Sequence, residues 1–238
     1  MLVPATMPPL TTDAVASTAV RFEVSSEARA VAAMHDIDVP ACLHRAVDKR
    51  LSEFVAGRYC AREALRLLGI EGPHAVGMRP DRGPAWPAGI VGSITHTMGV
   101  AWAVAASRQA IRGIGIDIET IPEAHAARQV EAVILTTAER DVLLPITQRW
   151  GVPTAIGLAL SMKESLYKCL AAKAAAPLEF RDASLVGINQ RDTSFRIRLN
   201  PAVMAAWPDG CEWSGRFAIE PPHVYTVIEQ RVEPDREE

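Results

Sequence analysis

The chain has 238 residues, 49% of them hydrophobic, and a formal net charge of −3, enough for one large domain or two small ones around an ordinary packed core. A slightly acidic balance argues against duplex nucleic acid as a partner, and no apolar run reaches the ~18 residues that a membrane span needs. The first twenty residues carry no Lys or Arg and hold Pro at 4, 8 and 9, so no export signal is expected. Cys42, Cys60, Cys169 and Cys211 are scattered with no Cys-x-x-Cys pair. They suit reduced thiols in a cytoplasmic protein, although an even count also permits disulfides.

Residues 1–18 are rich in Pro, Thr and Ala and are expected to be loose; Val20, Phe22 and Val24 then alternate with Arg21 and Glu23 as in a short strand. From Leu43 to Leu68 apolar residues recur at helical spacing through Val47, Leu51, Phe54, Val55 and Leu65, with Gly69 as the stop. This is one long helix or two broken near Gly57. It carries Lys49, Arg50, Arg58, Arg62 and Arg66, and the spacing of 50, 58 and 62 gathers charge on one surface, either a solvated basic face or a phosphate-binding one. Residues 72–89 hold Pro73, Pro80, Pro84 and Pro87 with Arg79 and Arg82, a turn-rich, substrate-facing loop anchored by Trp86. Ile90 to Thr95 is a buried strand leading into Thr95-His96-Thr97, where His96 is either structural or merely exposed, or meets a phosphate oxygen for which its small hydroxyl neighbours leave room. Val100 to Ala106 is strand or helix.

The stretch from Arg112 to Glu119 organises the rest. Ile114, Ile116 and Ile118 alternate with Gly115, Asp117 and Glu119, so in an extended strand the isoleucines enter a core while both acids project on the other face. Two carboxylates side by side repel. A hard divalent cation such as Mg²⁺ would offset that repulsion; the alternative is an edge strand whose polar face meets water.

Thr136-x-x-Glu139 forms a capping box that predicts a helix from about Ala138 to about Leu144, ended by Pro145. A second long helix is predicted from about Thr154 to Ala175, with Ile156, Leu160, Tyr167 and Leu170 inward and Pro177 at its end. Glu164 and Lys168 at its centre have the spacing of a surface ion pair worth ~0.3–0.5 kcal/mol. Ser184 to Ile188, Ser194 to Leu199, Glu212 to Ile219 and His223 to Ile228 follow as a meander of short strands. The pattern is α+β: a loose segment 1–18, an N-terminal half 19–120, a C-terminal half 121–232 and an acidic tail 233–238. The acidic strand falls at the seam between the halves, where clefts form.

Gly113-x-Gly115 lacks the third glycine of a dinucleotide loop, since Ile118 stands there, and neither a phosphate-binding P-loop nor a Gly-x-Ser-x-Gly elbow is present. What remains is an ordered set: Lys49-Arg50 through Glu53-Phe54 to Gly57-Arg58-x-Cys60-Ala61-Arg62; Trp86-Pro87 through Gly92-Ser93-Ile94-Thr95-His96; Gly115-Ile116-Asp117-Ile118-Glu119; and Lys163-Glu164-Ser165 with Tyr167-Lys168. Over roughly residues 45 to 170 this set resembles the 4′-phosphopantetheinyl transferases of the long single-chain type. The resemblance implies two similar α+β halves about a pseudo-twofold axis, with the active site at the seam. It also implies transfer of the 4′-phosphopantetheine arm of coenzyme A to a serine of an apo acyl or peptidyl carrier protein in fatty-acid, polyketide or peptide synthesis, by a cytoplasmic monomer. Asp117, Glu119 and Glu164 would hold Mg²⁺, with Mn²⁺ a substitute. His96, with Thr95 beside it, and Lys163 would meet phosphates. Arg50 and Arg58, with Arg79 a weaker candidate, would take the 3′-phosphate, and Lys168 would sit near the attacking serine and the phosphate. Glu164, Lys168 or a metal-bound water would take the serine proton. A Mg²⁺-dependent phosphohydrolase and a carrier-binding module with a decayed site are the competing expectations. Two departures stand out: Leu160 replaces the usual aromatic residue, and the Arg82-Gly83-Pro84 turn is short.

Overall fold

The structure is a computed structural model of the whole chain, and it describes residues 1–70, 76–171, 178–204 and 211–232. The protein is α+β and divides into two compact units, one comprising Met1–Gly113 with Arg231–Glu238 and the other Ile114–Gln230. Pro73, Pro177 with the predicted end of the long helix, and the acidic tail 233–238 lie outside the described residues. Among the described residues no helix is long and apolar enough to cross a membrane.

In chain order the first unit holds β1 (Leu2–Pro4), β2 (Ala16–Phe22), α1 (Ala28–Met34), α2 (Asp48–Leu67), β3 (Gly77–Met78), β4 (Pro84–Ala85), β5 (Ile90–Thr97), β6 (Val100–Ser107) and the start of β7 (Ile111–Thr120). Four of these strands make an antiparallel sheet in the order β1-β2-β6-β5. The segment expected to be loose therefore carries an edge strand, a position that tolerates Pro4 because an edge leaves one row of backbone groups unpaired. The Val20-Phe22-Val24 strand stops at Phe22.

Small residues on one face of α2, Ala56, Cys60, Ala61 and Ala64, are 0% exposed against Ala101, Ala103 and Ala105 of β6, which are equally buried. Gly57 continues that face: a Cβ there would stand 2.9 Å from Ile94 Cγ2. The glycine is thus a point of close approach to β5 inside a single unbroken helix. The helix ends as expected at Gly69, whose φ is +73°. Ile70 N–H donates to Leu65 O and Gly69 N–H to Arg66 O, which closes the last turn. Val100 to Ala106 is strand, buried on both faces, with Trp102 Nε1 donating to Ser17 Oγ at 2.8 Å.

The second unit continues β7 and adds α3 (Ala124–Ile134), α4 (Thr137–Trp150), α5 (Val152–Leu170), β8 (Ala183–Asn189), β9 (Ser194–Leu199), α6 (Pro201–Met204), β10 (Glu212–Glu220) and β11 (His223–Arg231). The sheet order is β7-β11-β10-β9-β8, and the four strands after α5 form the predicted antiparallel meander. Leu158, Ala159, Met162 and Leu166 of α5 are 0% exposed in a core shared with Leu185, Phe195, Ile197, Phe217 and Val224.

One expectation is corrected here. α4 does not stop at Pro145 but runs through it to Trp150. Proline removes one hydrogen bond from a helix interior, and burial of Leu143 and Ile146 on either side of it holds the helix together. α3 has no predicted counterpart.

Candidate active site

β7 delivers the acids as its alternation requires. Ile114, Ile116 and Ile118 are at most 2% exposed on one face. The opposite face does not meet water, because α5 sits on it. At Gly115 a Cβ would be 1.8 Å from Ser165 O and 2.6 Å from Cys169 N, so glycine alone lets the helix backbone come down on the strand. That approach brings the last turn of α5 over the next inward position of β7. Lys168 Nζ donates to Asp117 Oδ1 at 2.5 Å, with Asp117 3% exposed. The reading of Lys168 as half of a surface pair with Glu164 is corrected: the ammonium reaches 51 residues back in the sequence. The exposed-edge reading of Asp117 falls with it.

The other two acids gather around this pair. Burial first, then the charges of Asp117 and, less, Glu164, push the Glu119 carboxyl up to about 7, with Lys168 opposing. Glu164 is also raised, by burial first and then by Asp117, again against Lys168. Three carboxyls therefore face one ammonium, and ionisation of all three leaves an excess of negative charge. Three oxygen-donor side chains, two of them with raised proton affinity and one a buried Asp, have the chemistry that a hard divalent cation takes. Among the described residues no three such groups already stand in ligating arrangement.

Lys163, expected at a phosphate, is corrected. It is 0% exposed, and its Nζ donates to Ile134 O and Phe180 O at 2.7 Å and to Ala183 O at 2.8 Å, with Glu139 Oε1 also 2.8 Å away. An ammonium has three protons, and the interior uses all of them. Spacing cannot show which of two lysines on a helix faces inward, so this exchange was invisible in the sequence. Glu139 was legible only as a cap; that role holds, since its Oε2 accepts from Thr136 N at 2.8 Å.

In the first unit the basic row of α2 divides. Arg50 Nη1 lies 3.4 Å from His96 Nε2 of β5. Glu53 stands 4.0 Å from Arg50 and 3.8 Å from His96 Nδ1. Glu53 stands in the ordered set with no role of its own there, although its spacing of three from Arg50 places it on the same face. Arg58 is 8% exposed, stacks 4.8 Å over the Phe54 ring and donates to Gly77 O at 3.1 Å. Burial first, then Arg50, lowers its pKa to about 10, and its Nε, buried, has no hydrogen-bond partner. Arg62 donates to His35 O, and Arg66 forms an exposed pair with Glu63 at 3.0 Å.

Thr95 is 3% exposed and, as the neighbour of His96 in a strand, faces the other way, so the two do not share a surface. Arg79 is engaged within its own turn, where Asp81 accepts from its Nη2 at 2.7 Å and its Nε at 3.1 Å. The Gly83 N–H and then Arg79 hold the Asp81 carboxyl below its usual range.

Comparison with known proteins bears on both units. The model of the 4′-phosphopantetheinyl transferase N-terminal domain matches residues 39–106, and that of the 4′-phosphopantetheinyl transferase superfamily matches residues 113–215. The 4′-phosphopantetheinyl transferase Svp of Streptomyces mobaraensis is 36% identical over 188 residues, 77% of this chain and 74% of its own length. PptT of Mycobacterium tuberculosis is 34% identical over 194 residues, 77% of this chain and 81% of its own. The chain belongs to the 4′-phosphopantetheinyl transferase superfamily. Enterobactin synthase component D of Salmonella typhi is 36% identical over 163 residues, 68% of this chain, and the chain spans 65% of that relative's length. The superfamily match contains Asp117, Glu119, Glu164 and Lys168, and the N-terminal match contains Arg50, Arg58, Arg79, Thr95 and His96.

Proposed function

We propose that the protein transfers 4′-phosphopantetheine from coenzyme A to a serine hydroxyl of an apo acyl or peptidyl carrier protein, in the cytoplasm and with Mg²⁺. The observation that carries this reading is the cluster of Asp117, Glu119 and Glu164 around Lys168, within a chain of this superfamily. In the reaction the serine oxygen forms a bond to the phosphorus bearing the pantetheine arm. The phosphoanhydride bond breaks, adenosine 3′,5′-bisphosphate leaves, and the serine proton passes to a base. Asp117, Glu119 and Glu164 would hold Mg²⁺, or Mn²⁺ in its place, and the ion when bound supplies positive charge to the diphosphate.

The remaining chemistry belongs to the side chains. Glu164 is suited to take the serine proton because burial raises its proton affinity. Lys168 places a cation on the same face, suited to the charge that develops on the phosphoryl oxygens. In the first unit, Arg50, His96 and the unpartnered Nε–H of Arg58 are the donors assigned to coenzyme A phosphates.

Mass spectrometry of candidate apo-carriers incubated with the protein, coenzyme A and Mg²⁺ tests the reading. The expected result is one pantetheine adduct on a serine, absent without Mg²⁺. Cleavage of coenzyme A that needs no carrier would instead assign a phosphohydrolase.

A further inference from the structure

Lys163 and Glu139 are the most completely buried charged side chains among the described residues, at 0% and 1% exposed, and neither has a role in the transfer chemistry above. Their contacts tie together five pieces of chain. Lys163, on α5, holds the last residue of α3 through Ile134 O, the segment before β8 through Phe180 O, and the first residue of β8 through Ala183 O. Glu139, in the first turn of α4, holds Lys163 and Leu185 N through Oε1 and Thr136 N and Oγ1 through Oε2. A buried ion pair seldom stabilises a fold more than apolar residues of the same volume, so stability is a poor account of its presence.

Its place on α5 is more informative. Two residues on, Ser165 O sits where a Cβ on Gly115 would be only 1.8 Å away, so the helix is pressed against β7 at one residue and anchored on the other side at Lys163. Glu164 lies between these two supports. We infer that the Lys163–Glu139 pair is a positioning device that fixes the rotation of α5 about its axis and so presents the Glu164 carboxylate to Asp117 and Glu119. This rests on the metal-assisted reading above.

The test is Mn²⁺ binding by calorimetry to the full-length protein, with thermal unfolding alongside. Lys163→Met keeps an unbranched side chain of nearly the same volume and removes all the polar contacts; its Mn²⁺ affinity should fall at least about tenfold, and kcat should fall while KM for coenzyme A holds. Leu158→Ala, a fully buried change in the same helix, controls for lost stability and should leave Mn²⁺ affinity within about twofold of wild type. Glu139→Gln leaves the three carbonyls on Lys163 and tests the pair if Lys163→Met does not fold; a loss of about threefold in Mn²⁺ affinity is expected. Unchanged Mn²⁺ affinity in a folded Lys163→Met, or in Glu139→Gln, overturns the positioning role, as does an equal loss in Leu158→Ala. A wild-type protein that binds no Mn²⁺ overturns the metal reading together with it.

Discussion

Asp117 is buried and its Oδ1 accepts from the Lys168 ammonium, and that contact sets what its substitution does. Asp117→Asn keeps the size of the side chain but weakens both the attraction of Lys168 and the hold on a cation. Turnover should drop roughly 10²- to 10⁴-fold at saturating Mg²⁺, at ~1.4 kcal/mol for each factor of ten. Carrier modification by a variant shown to be folded is the measurement, and near-normal turnover would remove Asp117 from the site. Glu119 gives a second prediction with a definite sign. Its carboxyl, ordinarily at 4.5, is raised to about 7 in the folded chain, so between those values the folded chain keeps a proton that the unfolded chain has lost. That contribution to stability is therefore lost as pH rises through the window and is flat above it. Glu119→Gln carries no such proton. In chelator, the melting temperature of the variant relative to wild type should rise from about pH 5 to about pH 8; a difference independent of pH would contradict the assignment. The acids were legible because a strand has a period of two and buried isoleucines declare one face. Lys163 was not, because its fate depends on carbonyls contributed by Ile134, Phe180 and Ala183, distant in sequence.

At the scale of elements, two glycines in contacts of different kinds should respond differently to the same methyl group. At Gly115 the added carbon meets helix backbone, Ser165 O at 1.8 Å and Cys169 N at 2.6 Å. Backbone cannot rotate away, so α5 as a whole must lift, at a cost of ~3 kcal/mol or more by the standards of overpacked cores, and Lys168 withdraws from Asp117. At Gly57 the carbon meets one side-chain methyl, Ile94 Cγ2, at 2.9 Å, which a χ1 turn of that β-branched side chain relieves for ~1 kcal/mol. Helix propensity offsets most of that. Urea unfolding of Gly115→Ala and Gly57→Ala should rank them in that order by a wide margin; similar losses would mean that α5 is not seated on β7. The same contrast explains what the sequence could show of the elements. Periodicity and caps found α2, α5 and the meander, whose signals are local. β1 was missed because pairing with β2, a contact across the chain, makes a strand of Leu2–Pro4, and α4 passes Pro145 because tertiary burial outweighs the local penalty.

Across the whole molecule, the chain divides into its two compact units between Gly113 and Ile114, inside β7, and a continuous alternation of isoleucines carries no mark of where one unit ends. Arg50, Arg58 and His96, the donors proposed for coenzyme A phosphates, belong to the first unit and the acids with Lys168 to the second. If the first unit's side chains serve binding and the second unit's serve chemistry, the two sets of substitutions should separate kinetically. Arg50→Ala removes an accessible guanidinium, its side chain 45% exposed, and so disturbs no core. It should raise KM for coenzyme A about tenfold, the worth of one charge-assisted contact, with kcat within about twofold. Added salt should narrow the gap between variant and wild type, because screening weakens the contact that wild type keeps. Glu164→Gln should do the reverse, lowering kcat by ~10²-fold or more with KM for coenzyme A little changed. Steady-state kinetics of both variants against one carrier at two ionic strengths decides the matter. A fall in kcat for Arg50→Ala equal to that for Glu164→Gln would show that the arginine acts in the transition state rather than in holding coenzyme A, and the separation of roles would fail.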